Sequence, residues 1–216
     1  MRVHPLGLFC YDKPVDCLAE EVANSAKITH TNADGVNGAV LQAACVAMAA
    51  QGLPIDDIMD RLLAIGRGFP DPNAGQAFVH NKKKKKCDTY SSLLSSVKKA
   101  IDERNFDVDS LIDVLGNDVS ALNSVPAAIY SFLAGSFPES VESVENAFER
   151  TLHVALAFGG DSDTICSMAG AIAGAYYGEP NIPPYMLKIC EAVPDAMEQA
   201  NKLHDLVYSE KTSNIN

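Results

Sequence analysis

Apolar residues along this chain recur at intervals of three and four, and the alternation of a β-strand is hard to find. The plainest case is PIDDIMDRLLAIG, residues 54–66. Its Ile55, Ile58, Met59, Leu62 and Leu63 share one helical face, Pro54 opens it and Gly66 is a natural stop. The same spacing predicts helices over residues 14–28 and 35–51, the second rich in alanine and ended by Gly52. TYSSLLSSVKKAIDER repeats the pattern with Tyr90, Leu93, Leu94, Val97 and Ile101, and DVDSLIDVLG reads as a short helix ended by Gly116. In SVPAAIYSFLAG, Ser124 takes the cap position and Pro126 the first turn. SVESVENAFERTLHVALAF then sets Val141, Val144, Phe148, Leu152, Ala155 and Leu156 on one stripe. A turn at Gly159 and Gly160 leads to a helix starting near Thr164, and the last helices cover roughly 184–208. The expectation is one all-α domain over residues 1–216, without internal repeats.

One segment breaks the pattern. Residues 67–88 hold two prolines, two glycines and the run Lys82 to Lys86. A solvated loop tip is the plain reading. A localisation signal, an anion patch or a flap over a phosphate-bearing ligand are the alternatives. Composition narrows the class further. An apolar share of 47% and a charged share of 21% are those of an ordinary globular chain, long enough to bury a sizeable core. The net charge of −11 argues against general binding to nucleic-acid backbone, and solubility alone accounts for it. The six cysteines are widely spaced with no CxxC pair, which suggests neither a zinc site nor a disulfide framework. Reduced, mostly buried thiols in a cytosolic-type compartment fit best. No secretory signal stands at the start, and the longest small-apolar run noted, Met168 to Tyr177, is too short to span a bilayer.

Candidate chemistry concentrates in FGGDSDTICSMAGAIAGAYYG, residues 158–178. Asp161 and Asp163 stand two apart in a glycine-led loop, and Thr164 adds a hydroxyl at a helix mouth. Such oxygens are hard ligands suited to Mg²⁺, Mn²⁺ or Ca²⁺. Asp163 or Thr164 acting only as an N-cap is the competing reading. Gly170, Gly174 and Gly178 recur every fourth residue, so the following helix is expected to pack closely and centrally. Two buried aspartates there would be costly without a cation. Three side-chain ligands leave a six-coordinate ion short, and no second loop-type acidic cluster stands out. Asp118 is a candidate, whereas Asp56 and Asp57 read as solvated surface. Tyr176 and Tyr177 are read as packing.

GGDSDTICSMAGAIAGAYYG resembles the C-terminal metal motif of the ADP-ribosylglycohydrolase family, in the wording of its type-three ADP-ribosylhydrolase branch. THTNADGVNGAVLQA (29–43), LGNDVSALNSVPAAIYSFL (115–133) and MRVHPLGL (1–8) resemble other segments of that branch. The resemblance covers almost the whole chain, weakly at 67–88. It implies an all-α fold with two Mg²⁺ ions. Asp161, Asp163 and Thr164 match second-half metal ligands, with Asp163 as the bridge between the ions. His30 matches a histidine lining the ADP-ribose pocket, against the plainer reading of a capping or core histidine. Val119 matches an apolar residue that meets the ligand, and Asp118 replaces a smaller residue beside it. The family's first-half metal cluster, its early catalytic acid and its glycine-rich diphosphate loop have no counterpart here. The chain therefore reads as the C-terminal portion of the domain, with no catalytic acid or base to name.

The activity implied is Mg²⁺-dependent release of ADP-ribose from serine-linked proteins, from poly(ADP-ribose) or from O-acetyl-ADP-ribose, in the setting of DNA damage. Partners implied are ADP-ribosylated proteins or the polymer, with no direct DNA contact, no membrane and a monomeric state. Location would be nuclear and cytoplasmic, with the mitochondrial matrix also open. This chain alone is expected to show no turnover. The alternatives are a non-catalytic structural or ADP-ribose-binding protein that keeps the fold with half of the metal site, and a helical interaction domain with a cap mistaken for a ligand set.

Overall fold

The computed structural model describes residues 1–70 and 89–213, with side chains through Ser209. The lysine run Lys82–Lys86 lies outside the described residues. Eleven α-helices and no strands occur among the described residues: α1 His4–Phe9, α2 Val15–Lys27, α3 Ala33–Ala50, α4 Ile55–Gly68, α5 Tyr90–Asp102, α6 Val108–Leu115, α7 Ala121–Gly135, α8 Ala147–Ala157, α9 Ser162–Tyr177, α10 Pro184–Ile189 and α11 Val193–Ser213. The all-α expectation holds.

Local chemistry sets most boundaries. Pro14 and Pro54 stand at the N-cap positions of α2 and α4 with ψ near 145° (146° and 144°), an extended entry that proline favours. Asn32 caps α3 by accepting from Asp34 N at 2.7 Å, and Thr89 and Ser92 form a reciprocal capping box on α5. Gly116 and Gly178 end α6 and α9 at φ 75° and 77°.

Two starts differ from the sequence expectation. Helix α7 begins at Ala121, so Ser124 and Pro126 lie inside it. Asp118 Oδ1 accepts from Ser120 N at 2.8 Å and turns the chain early, and the Ser124 hydroxyl donates back to Ser120 O at 2.9 Å. Helix α8 begins only at Ala147, capped by Asn146 Oδ1 on Glu149 N at 2.9 Å. Val141 and Val144 precede it, and Leu156 is 57% exposed, so the expected stripe is broken. The cause is Arg150, a cation only 5% exposed. It donates to Val144 O and Glu145 O at 2.9 and 2.5 Å and to Gly135 O at 2.9 Å. It thereby diverts the preceding carbonyls from a helical ladder and covers the negative end of α7.

The central helix is α7, buried from Ser124 to Gly135 and packed on α3, α5, α6, α8 and α9. Central burial was expected of α9 instead. That helix packs on α3, α7 and α8 and buries Ile165, Met168, Ala169, Ile172 and Ala173, while Gly170 and Gly174 stay half-buried toward Leu152 and Phe148 of α8. A close helix approach falls at Gly135, where an added Cβ would lie 2.6 Å from Thr151 N and Cα. Tyr176 and Tyr177 pack with Phe132, at ring-centroid distances of 5.4 and 6.4 Å. Helix α3, with 18 residues and a mean hydropathy of 1.2, is long and apolar enough to cross a membrane, a longer stretch than Met168–Tyr177. Here it is the second core helix, enclosed by α1, α2, α4, α7 and α9.

The five cysteines among the described residues are free and less buried than expected: Cys10 and Cys45 are buried, Cys166 half-buried, and Cys17 and Cys190 exposed. Burial pushes the Cys45 thiol well above its ordinary pKa. Peptide mapping after brief alkylation of native protein should find Cys17 and Cys190 modified and Cys10 and Cys45 intact. Early modification of Cys45 would contradict this packing.

Candidate functional site

Four helix N-termini meet at one end of the bundle. Tyr90 Oη, on the first residue of α5, donates to Asp34 O in the first turn of α3 at 2.8 Å. Gly38 of α3 faces Ala121, the first residue of α7, whose Cβ would stand 3.2 Å from a Cβ at Gly38. The loop before α7 binds the loop before α9: Asp161 N donates to Asn117 O at 2.9 Å, and Asn117 Nδ2 donates to Phe158 O at 2.7 Å. The N-termini of α3, α5, α7 and α9 thus present their positive ends together, among Asp34, Asp118, Asp161 and Asp163.

The turn into α9 passes through Gly159 and Gly160 at φ 61° and 56°, a left-handed conformation that favours glycine. Asp161 is the N-cap residue, yet its side chain makes no capping bond. Its carboxylate, the exposed carboxylate of Asp163 and the Thr164 hydroxyl have no hydrogen-bond or ion-pair partner among the described residues. The simple capping reading therefore does not describe this loop. The aspartates are also less buried than expected, Asp161 partly and Asp163 little, so solvent and the α9 N-terminus offset much of the charge cost. Asp163 is felt within the chain: after burial, it is the second cause raising the Cys166 thiol pKa.

These donors fit a hard cation by chemistry, since they are three uncommitted oxygen-bearing side chains within one helical turn. They do not complete a shell, because no group of three or more His, Cys, Asp and Glu side chains suited to a metal occurs among the described residues. Asp118, the other candidate, is already engaged. Its Oδ1 accepts from Ser120 N at 2.8 Å and its Oδ2 from Asn123 Nδ2 at 3.0 Å, so the carboxylate shapes its own loop. Asp56 and Asp57 sit exposed in the first turn of α4.

Val119 is 81% exposed on the loop that Asn117 ties to Asp161, so the structure brings the Val119 and Asp161 loops together. His30 is exposed just before α3, its ring against Gly35 and its Nδ1 2.8 Å from Thr29 Oγ1. It shares this end of the bundle, but no hydrogen bond or ion pair links it to the aspartate loop among the described residues. A cleft of about 210 Å³ opens between α3, α4 and α5, lined by Asp34, Asn37, Arg67, Phe69, Thr89 and Tyr90. A larger groove of about 370 Å³ between α4 and α5 is lined by Lys98 and Asp102, already paired at 3.6 Å. Sequence reasoning missed Asn117. Its only signal was its place directly after the helix-ending Gly116.

The all-helical bundle, with its aspartate loop at the head of α9, belongs to a known class. A sequence profile of the ADP-ribosylglycohydrolase family matches residues 1–213, and the chain belongs to that family. It is 36% identical over 187 residues to the ADP-ribosylhydrolase ARH3 of Gallus gallus, covering 84% of this chain and 50% of that protein. The ARH3 of Homo sapiens is 35% identical over 181 residues, covering 83% and 50%. The ARH3 of Xenopus tropicalis is 35% identical over 217 residues, covering 95% and 59%. The chain spans about half the length of the curated relatives it matches.

Proposed function

We propose that this chain carries the ADP-ribose-facing, Mg²⁺-holding portion of an ADP-ribosylhydrolase. The reaction is hydrolysis at the anomeric carbon of ADP-ribose attached to serine, to another ADP-ribose in the polymer, or to an acetyl group. The observation that carries this reading is the trio of uncommitted oxygen-bearing side chains, Asp161, Asp163 and Thr164, set beside the Val119 loop where helix N-termini converge. Family membership and the ARH3 relatives support the substrate class.

Each part of the chain has a task in that chemistry. Asp161, Asp163 and Thr164 would hold the cation. When bound, a hard divalent cation orients ribose hydroxyls and polarises a water as oxocarbenium character builds. The converging N-termini favour the negative diphosphate. Val119 offers an apolar contact to the sugar or base. Thr29 takes His30 Nδ1, which leaves Nε2 for the ligand. No side chain of this chain is assigned as acid or base.

Nuclear and cytoplasmic or mitochondrial residence, a monomeric state and the absence of direct DNA or membrane contact belong to the same proposal. The charge of −11 supports its avoidance of DNA. A second reading, ADP-ribose binding without turnover, is favoured by the incomplete ligand set among the described residues.

Calorimetry with ADP-ribose tests the reading. Binding should require Mg²⁺ and vanish in EDTA. Absence of binding, or binding indifferent to EDTA, would overturn it. Turnover of an ADP-ribosyl-serine peptide separates the two readings, and the expected result for these 216 residues alone is none.

A further inference from the structure

We infer that Asn117 is a positioning residue, which sets the Asp161–Thr164 loop against the Val119 loop so that cation and sugar are bound in register. The inference rests on the proposed function for what the loops bind, and on geometry alone for what Asn117 does. Two successive left-handed residues, Gly159 and Gly160, precede Asp161. Glycine there gives the chain its turn but also its freedom, so something outside the turn must fix it. Asn117 brackets it from both sides. Its side-chain Nδ2 donates to Phe158 O at 2.7 Å, before the glycines. Its backbone oxygen accepts from Asp161 N at 2.9 Å, after them.

The fit leaves no slack. A Cβ on Gly160 would lie 2.8 Å from Asn117 Cγ, with the Asn117 carbonyl oxygen closer still. Asn117 is itself held on either side. Gly116 turns at φ 75° under the Asn123 side chain, and Asn123 Nδ2 donates to Asp118 Oδ2 at 3.0 Å. One short polar side chain therefore joins the segment carrying Val119 to the segment carrying both aspartates. Asn117 makes no contact with a reacting atom in this account. It acts through Asp161, whose backbone it holds while the carboxylate stays free.

The test combines amide hydrogen exchange, thermal melting and titrations with Mn²⁺ and with ADP-ribose on the native chain, Asn117→Ala and Asn117→Asp. Alanine removes the donor to Phe158 O. Aspartate keeps the shape but turns an acceptor toward that carbonyl. In the native chain the Asp161 amide should be protected from exchange. Both variants should melt within a few degrees of it, exchange the Asp161 amide about tenfold faster, and lose about tenfold in Mn²⁺ and ADP-ribose affinity together, the scale of one hydrogen bond. A solely structural role would lower melting and leave the two affinities unchanged in the folded fraction. Native-like Asp161 exchange in both folded variants would overturn the inference. So would an unprotected Asp161 amide in the native chain, which decides the matter even where the variants fail to fold. If the native chain binds neither probe, the functional reading falls, and the exchange rates still judge the clamp.

Discussion

Asp161→Ala should abolish the rise in melting temperature that Mg²⁺ and ADP-ribose together produce in the native chain. Ligand at about one hundred times its dissociation constant stabilises a protein by about 2.7 kcal/mol. For a chain of this size that corresponds to a shift of about 5–10 °C. The unliganded variant should melt within about 2 °C of the native chain, because the lost carboxylate is partly exposed and makes no hydrogen bond. Asp161→Asn should also lose most of the shift, since it keeps one oxygen but not the charge a hard cation requires. The alternative, a plain helix cap, predicts the reverse: lower stability in the absence of ligand and no change in its response to Mg²⁺. A shift that survives Asp161→Ala removes this loop from the cation site.

The largest effect on folding should come from Gly135→Ala. Gly135 is the last residue of α7 and buried, and its missing side chain would meet the Thr151 hydroxyl and, at 2.6 Å, Thr151 N and Cα. Backbone cannot swing aside as a side-chain tip can, so even one methyl group forces α7 and α8 apart. Overpacking of this kind costs about 1–3 kcal/mol. The shift also strains the Arg150 Nε bond to Gly135 O, 2.9 Å long and charge-assisted, which is worth about 1.5–3 kcal/mol. Melting should therefore fall by about 5–20 °C. A change below about 2 °C would mean that the interface between α7 and α8 is looser than described.

Much of this architecture was legible because helical signals are local. The apolar face of α4, the proline before it and the glycines after α6 and α9 act within a few residues. The misplaced starts of α7 and α8 have long-range or side-chain causes instead. Asp118 turns the chain ahead of α7, and Arg150 draws off the carbonyls of Val144 and Glu145 ahead of α8. A glycine stripe suggested a central α9, but glycine spacing reports where close approach is permitted, and the neighbour that fills the space decides where it happens. Gly135 has Thr151 against it, whereas Gly174 has only Phe148 at 3.9 Å.

The site followed the same division. Asp161, Asp163 and Thr164 could be read as hard ligands because their types and spacing carry the chemistry. Their release from capping duty, and the bond from Asn117 that places them beside Val119, depend on a contact across some forty residues of sequence. No pattern within either segment announces it.

The most direct measurement is anomalous diffraction from crystals of this chain grown with Mn²⁺ and ADP-ribose. A manganese peak is expected within coordination distance, roughly 2.0–2.3 Å, of oxygens on Asp161, Asp163 and Thr164, with ligand density against Val119 and His30. A peak placed elsewhere, or ADP-ribose bound away from the α9 N-terminus, would contradict it.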